Sequence, residues 1–305
     1  MNDDALGDFL RSRRARIRPE EVGLVSHGRR RVPGLRREEV AQLAGVSVDY
    51  YVRLEQGRGS NVSDAVLDAV ARVLRLTDTE AAHLRDLVRP KRDRGRGRGA
   101  GAREGAGRTV RAGVRTLMET MTGTPAFVLG RRMDVLAWNA LADAVTGFSA
   151  MPEGERNAAR HTFLDPAARE FYTDWPAVAA ETVAYLRLDA GRHPDDPLMA
   201  SLIGELAMKN ETFRRLWADH PVKEKTHGVK RMRHPVVGDL ELGYETLALP
   251  GAPDQLLVAY TAAPGTAAAE KLAVLSSWAA SQDGLGTAAQ GDHAKADNPS
   301  SSGRG

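Results

Sequence analysis

The chemistry legible first in this chain sits in Ser47-Val-Asp-Tyr50 and Arg53. A guanidinium such as that of Arg53 can donate two parallel hydrogen bonds to O6 and N7 of guanine. A carboxylate such as that of Asp49 can accept from the amino group of cytosine, and the Val48 side chain suits a thymine methyl. At helical spacing these five residues lie opposite Tyr51 and Leu54, so one face could meet base edges while the other enters a core. Arg53 is the leading base-reading candidate, whereas Asp49 has a second reading as a first-turn carboxylate favoured by the helix dipole.

Such a helix reads DNA only if something holds it proud of the surface. Val40, Ala41 and Ala44 keep helical spacing just upstream, Gly45 can take the positive φ that ends their helix, and Ser47 offers an oxygen to cap the next. Two short helices about a tight turn make a helix-turn-helix. Arg36 and Arg37 open the first of the pair and are placed to touch phosphates rather than bases, and Arg58, just past the second, completes the DNA-binding set. The pattern predicts helices over 4–16, 36–44, 47–56, 63–74 and 78–88. Ser63 and Asp78 fall where caps belong, and Val66, Val70, Val73 and Leu74 form the inward stripe of the fourth. For residues 18–34, with Arg29-Arg-Arg31, a solvated loop and a phosphate-clamping arm both stay open.

The run Glu39-Val-Ala-Gln-Leu-Ala-Gly-Val-Ser47, followed by Arg53-Leu-Glu-Gln-Gly57, resembles Xre-type helix-turn-helix domains over about residues 6–88. With the basic Gly28–Arg37 insertion, Tyr50-Tyr51, Thr124-Pro-Ala-Phe-Val-Leu-Gly130, Val135-Leu-Ala-Trp-Asn139 and Arg233-His-Pro-Val-Val-Gly238, residues 6–275 resemble the MmyB-like regulators. The resemblance implies an Xre-type reader ahead of a PAS-like domain that binds an acyl or other lipid-like molecule, a bound fatty acid for example. It also implies a structural pairing of Glu55 with a first-helix arginine, here Arg14. An apolar pocket between sheet and helices is implied too, with Phe127, Trp138, Phe163, Leu186, Trp217 and Tyr244 as lining candidates, each with a plain core role beside it. A ligand carboxylate there would need a cation at the pocket edge, for which Arg160, Arg187 and Arg192 are the candidates.

Composition supports two regions of different character. Residues 1–110 hold 23 Lys/Arg against 16 Asp/Glu (23 − 16 = +7) and the remainder 20 against 24 (20 − 24 = −4), which sum to the net +3. Only the first region has the electrostatics of a polyanion binder. Arginine dominates lysine in both regions, so that bias carries no DNA-specific argument. Residues 90–108 are rich in Gly and Arg and poor in large apolar side chains, the composition of a flexible linker, and 281–305 that of a disordered tail. The expected domains are therefore 1–89, an all-α five-helix DNA-binding domain, and 109–280, an α/β PAS-like domain with antiparallel sheet and helices.

Of 16 aromatic residues only Phe9, Tyr50 and Tyr51 precede the linker, which puts a second core after it. A hairpin is expected over 124–129 and 133–138, helices around Trp175–Leu186, Leu198–Ala207 and Thr212–Ala218, strands over 229–237, 239–247 and 256–262, and a closing helix over 267–280. No cysteine is present, no histidine pair has ligand spacing on one helix, and no Gly-x-Ser-x-Gly elbow appears, so neither a metal nor a catalytic constellation is expected. No apolar run approaches the ~18 residues of a membrane span and the start is acidic, which points to a cytoplasmic chain without stable membrane insertion. The expectation is a DNA-binding transcription regulator, a homodimer on double-stranded DNA, with a C-terminal sensor of a small lipid-like ligand. Two rivals keep the reader: a second domain that only dimerises, and one that is an enzyme on a small acyl substrate.

Overall fold

The computed structural model of the protein describes residues 2–24, 34–58, 62–89 and 108–292. Arg29-Arg-Arg31 and the expected linker at 90–107 lie outside the described residues, as does the tail after Asp292. In chain order the elements begin with α1 (Asn2–Arg16), α2 (Arg37–Ala44), α3 (Val48–Glu55), α4 (Asp64–Val73) and α5 (Asp78–Val88). Then come α6 (Ala112–Thr120), β1 (Ala126–Gly130), β2 (Val135–Trp138), α7 (Ala140–Thr146), α8 (Ala158–Leu164) and α9 (Ala168–Phe171). They end with α10 (Trp175–Arg192), α11 (Pro197–Lys209), α12 (Glu211–Ala218), β3 (His227–His234), β4 (Gly238–Leu249), β5 (Ala252–Thr261) and α13 (Ala267–Asp292).

Two compact units form. The first takes the described residues between 1 and 100 with Ala159–Ala168 and Trp175–Lys225. Its reader half closes over Phe9, Leu10, Leu35, Val40, Tyr51, Leu54 and Leu84, all essentially buried, and burial of each stabilises by roughly 1.5–3 kcal/mol relative to exposure. Two details differ from expectation. The α5 cap is Thr77, not Asp78: Thr77 Oγ1 accepts the Glu80 N–H at 3.3 Å while the Glu80 carboxylate accepts the Thr77 N–H at 2.9 Å, so the reciprocal box fixes the start. On α4 the fully buried line is Leu67, Val70 and Leu74, with Val66 and Val73 only flanking it, because the i, i+3, i+7 row sits squarely on the core.

In the other half of this unit, Phe163 of α8 packs edge-on against Phe213 of α12 at 5.1 Å and Trp175 of α10 at 5.9 Å. Asn210 joins the pieces: its side-chain Oδ1 accepts from Phe213 N at 2.9 Å to start α12, and its side-chain amide donates to Phe163 O at 2.7 Å.

The second unit takes the described residues of Gly101–Ala158, Arg169–Asp174 and Thr226–Gly305. Its five strands are all antiparallel in the order β2-β1-β5-β4-β3, the PAS-like sheet expected. Phe127, Leu129, Leu242, Tyr244, Val258 and Tyr260 form the inner face, covered by α7 and α13 through Leu141, Val145, Leu272 and Leu275. Asn139 locks the hairpin to its surroundings. Its side-chain oxygen accepts from Ala126 N at 3.1 Å and Ala142 N at 2.9 Å, and its amide faces the Met118, Met121 and Thr124 carbonyls.

Helices α6 to α9 were not expected from the sequence; α7 to α9 have only four to seven residues, but α6, with nine, is longer than the expected α2, α3 and α12. Helix α13 runs to Asp292 rather than ending at Ala280, over residues whose Gly284, Gly286 and Gly291 favoured the expected tail.

Candidate nucleic-acid interface and ligand groove

The helix-turn-helix is built as its sequence demands. Gly45 adopts φ 70° and sends its N–H back to the Ala41 and Gln42 carbonyls, ending α2. Ser47 Oγ then accepts the Tyr50 N–H at 3.2 Å and starts α3. Ser47, Val48, Asp49 and Arg53 are exposed together along α3 while Tyr51 and Leu54 are buried behind them. Val48, an apolar side chain left 44% exposed, stands at the first position of α3, where a thymine methyl could cover it. Tyr50 turns partly inward and packs on the reader core, so its ring is only half available to a partner. Arg36 and Arg58 are exposed, and Glu39 accepts the Arg36 N–H at 2.6 Å, which pins the start of α2.

Beneath this face lies a charge network. Glu55, 4% exposed, accepts from Arg14 Nε at 3.1 Å and Arg14 Nη2 at 3.0 Å, the pairing expected from the resemblance. Arg37 joins the same carboxylate through Nε at 3.0 Å and Nη2 at 2.9 Å. A buried carboxylate is tolerable only when paired, so α1, α2 and α3 are tied at one point. Arg37 thus has a protein partner already, though its side chain stays 45% exposed and faces outward as well.

In the second unit a groove of about 600 Å³ opens between α13, the end of β5 and the turn before β1. Tyr260 and Leu272 are its buried apolar floor, Ala269, Ala273 and Ala280 its helical wall, and Thr122, Thr124, Thr261, Ser276 and Ser277 its hydroxyl rim. Among the described residues its lining holds no charged side chain. It is assembled from three distant stretches of mostly small residues, so composition gave no signal for it.

The expected ligand-binding residues divide between the units, and none lines this groove. In the second unit Phe127 packs edge-on against Phe148 at 5.1 Å, Trp138 lies beneath the Arg156 guanidinium at 5.2 Å, and Tyr244 is 5.3 Å from the Lys230 ammonium. In the first unit Phe163 and Leu186 are core, and Trp217 stacks on Phe213. The three candidate cations are engaged: Arg160 with Glu205 at 2.8 Å, Arg187 3.9 Å above the Trp217 ring with a bond to the Trp217 carbonyl, and Arg192 with Glu224 at 3.1 Å. Burial pushes the Arg187 guanidinium down to about 10. Of the motif residues, His234 is structural: Nδ1 accepts from Val236 N at 3.2 Å, which leaves Nε2–H to donate to Ala144 O at 2.8 Å.

An exposed helix-turn-helix face followed by a PAS-like sheet unit defines a class of protein, a DNA reader joined to a sensor. The profile of a helix-turn-helix domain matches residues 5–84, and that of the MmyB-like transcription regulator ligand binding domain matches residues 110–275. The chain belongs to the MmyB-like transcription regulators, DNA-binding proteins with a ligand-binding domain. No curated protein matches it.

Proposed function

We propose that the protein is a cytoplasmic transcription regulator of Xre type that grips its operator as a homodimer, each α3 in a major groove, and whose DNA binding responds to a medium-chain or long-chain acyl molecule. On DNA, Arg53 reads guanine, Asp49 and Val48 contact neighbouring bases, and Arg36, Arg58 and the outward side of Arg37 hold phosphates. Two readers related by a two-fold axis suit half-sites one helical turn apart.

The groove carries the ligand half of the proposal. Its volume falls within the range of small-molecule sites, about 300–1,000 Å³, and its uncharged lining accepts a hydrocarbon chain. Without a cation in that lining, an acid would have to keep its carboxylate at the open mouth in water. Dodecanoate and dodecanol should therefore both raise the melting temperature of the full-length protein. A ligand bound only by the native state stabilises by about 2.7 kcal/mol at a hundred times its dissociation constant. Ala273→Phe, an exposed position on the groove wall, should abolish both shifts without lowering the ligand-free melting temperature. No shift with either compound, and nothing extractable from the purified protein, would sink the acyl proposal.

One observation favours a second reading, a domain that only dimerises. The inner-face rings are closely packed: Phe127 meets Phe148 at 5.1 Å and Tyr260 at 5.5 Å, and Trp138 meets Phe148 at 5.9 Å, so these rings fill space against one another. Subunit count that is unchanged when the groove is blocked, in a protein that carries no ligand, would favour this reading.

A further inference from the structure

Helices α10 and α12 are joined to the DNA reader by a buried polar seam. His83 of α5 is 2% exposed and meets the Phe9 ring of α1 edge-on at 5.1 Å. Helix α10 crosses directly over this imidazole: a Cβ on Gly191 would lie 2.3 Å from His83 Cε1, so only glycine admits the contact. At the C-terminal end of α12, Arg13 donates to His220 O at 2.6 Å and Arg16 to Asp219 O at 2.6 Å, while Arg187 donates to Trp217 O. Carbonyls at a helix end have no partner within the helix and carry the negative end of its dipole, so three guanidinium groups cap them well, and two of the three come from the reader.

The seam is nevertheless underpaired. His83 Nδ1, His220 Nδ1 and Arg187 Nε are buried with no hydrogen-bond partner among the described residues. Each such group leaves its desolvation uncompensated, whereas the buried Glu55 carboxylate is met on both oxygens by Arg14 and Arg37. Elements that separate during function are drawn from the least stable contacts of a fold, and this contact has close packing at one glycine but poor polar satisfaction around it.

We propose that the seam is a releasable clasp: α10 and α12 hold the reader through α1 and α5 in one state and let it go in another, and the two states differ in affinity for DNA. The clasp lies between the reader and helices of the ligand-binding domain, where an effector with different affinity for the two states would shift DNA binding. It stands whether or not the effector is acyl.

The test uses full-length protein and the tightest duplex that the unaltered protein selects from a random-sequence pool. Gly191→Ala should raise hydrogen exchange in α5 and α10 and shift the Kd for that duplex at least about fivefold, the lower end of common coupling factors. Adding His83→Ala removes the ring atoms that the new methyl strikes and should bring both readouts back to those of the His83→Ala single variant. If Gly191→Ala does not fold, Arg192→Ala, which removes the pairs with Asp86 and Glu224, should move both readouts in the same direction by less. Unchanged exchange in a folded variant, raised exchange with unchanged Kd, or no rescue by His83→Ala overturns the clasp.

Discussion

The reader face and the sheet groove are built on opposite physics. Around α3 the exposed face is arginine, serine and aspartate above a buried carboxylate, a surface whose affinity is electrostatic. The groove beside α13 has hydroxyls, methyls and one phenol ring, and no charged side chain among the described residues. On the proposed reading, one region exchanges counterions when it binds DNA, and the other exchanges water for apolar contact when it takes its ligand. A single change of conditions should separate the two.

The largest expected effect follows. A reader that neutralises about 6–10 phosphates loses roughly 10³–10⁵ in DNA affinity between 50 and 200 mM salt, whereas an uncharged ligand in the groove should bind equally well or slightly better. Fluorescence anisotropy for DNA and calorimetry for dodecanol, run over the same salt series, give the two slopes. Parallel slopes would remove the contrast. Within the DNA arm, Arg53→Ala should cost about 1–3 kcal/mol at one base position while leaving the salt slope almost intact.

A sharper cut separates structural from contact charges inside the reader. Glu55→Ala strands Arg14 and Arg37 around a vacated carboxylate and should destabilise α1–α3 by roughly 3 kcal/mol, visible as faster hydrogen exchange there and not in β1 or β5. Arg37 is half exposed, so Arg37→Ala should cost at most about 1 kcal/mol of stability while weakening specific and nonspecific DNA alike. If Arg37→Ala instead destabilises as much as Glu55→Ala with no separate loss on DNA, the residue belongs to the fold alone.

How far each region could be read beforehand follows from how its parts are strung along the chain. Gly45, Ser47 and Tyr51 do their work within a few residues of one another, so helical spacing and one left-handed glycine sufficed to place the exposed face of α3. Strands β1 and β5 announced themselves as short apolar runs and β4 by alternation, but the start of β5 at Ala252 was hidden by Pro253, a turn residue in sequence. Trp138, Phe163 and Trp217, expected to line the pocket the resemblance implies, fall in different units: Phe163 is buried, while Trp138 and Trp217 are partly exposed rings beneath Arg156 and Arg187. The contacts of Arg13 with His220, 207 residues away, and of Gly191 with His83 leave no local pattern at all. Only the fold brings them together.

The last effect, and the one that bears on the seam, is a pH dependence. Burial, with Arg187, Arg13, Arg192 and His220 around it, pushes His83 down from 6.5 to about 3. Burial and Arg187, opposed by Asp8 and reinforced by Arg13 and Arg11, push His220 to about 4. Both imidazoles are therefore neutral in the fold and would take up protons once released. Between about pH 6.5 and 4 the unfolded or unclasped chain binds more protons, so stability is fully present above 6.5 and is lost as the pH falls, by up to about 1.4 kcal/mol per pH unit for each group. Hydrogen exchange in α5 and α10 should accelerate over that range before exchange in β1 and β5 does. His83→Leu keeps an apolar side chain against Phe9 and should remove about half of the slope, leaving the part due to His220. If the slope is unchanged in His83→Leu, His83 does not carry the acid sensitivity, and if it also survives His83→Leu combined with His220→Leu, the sensitivity lies outside the seam and the clasp loses its thermodynamic basis.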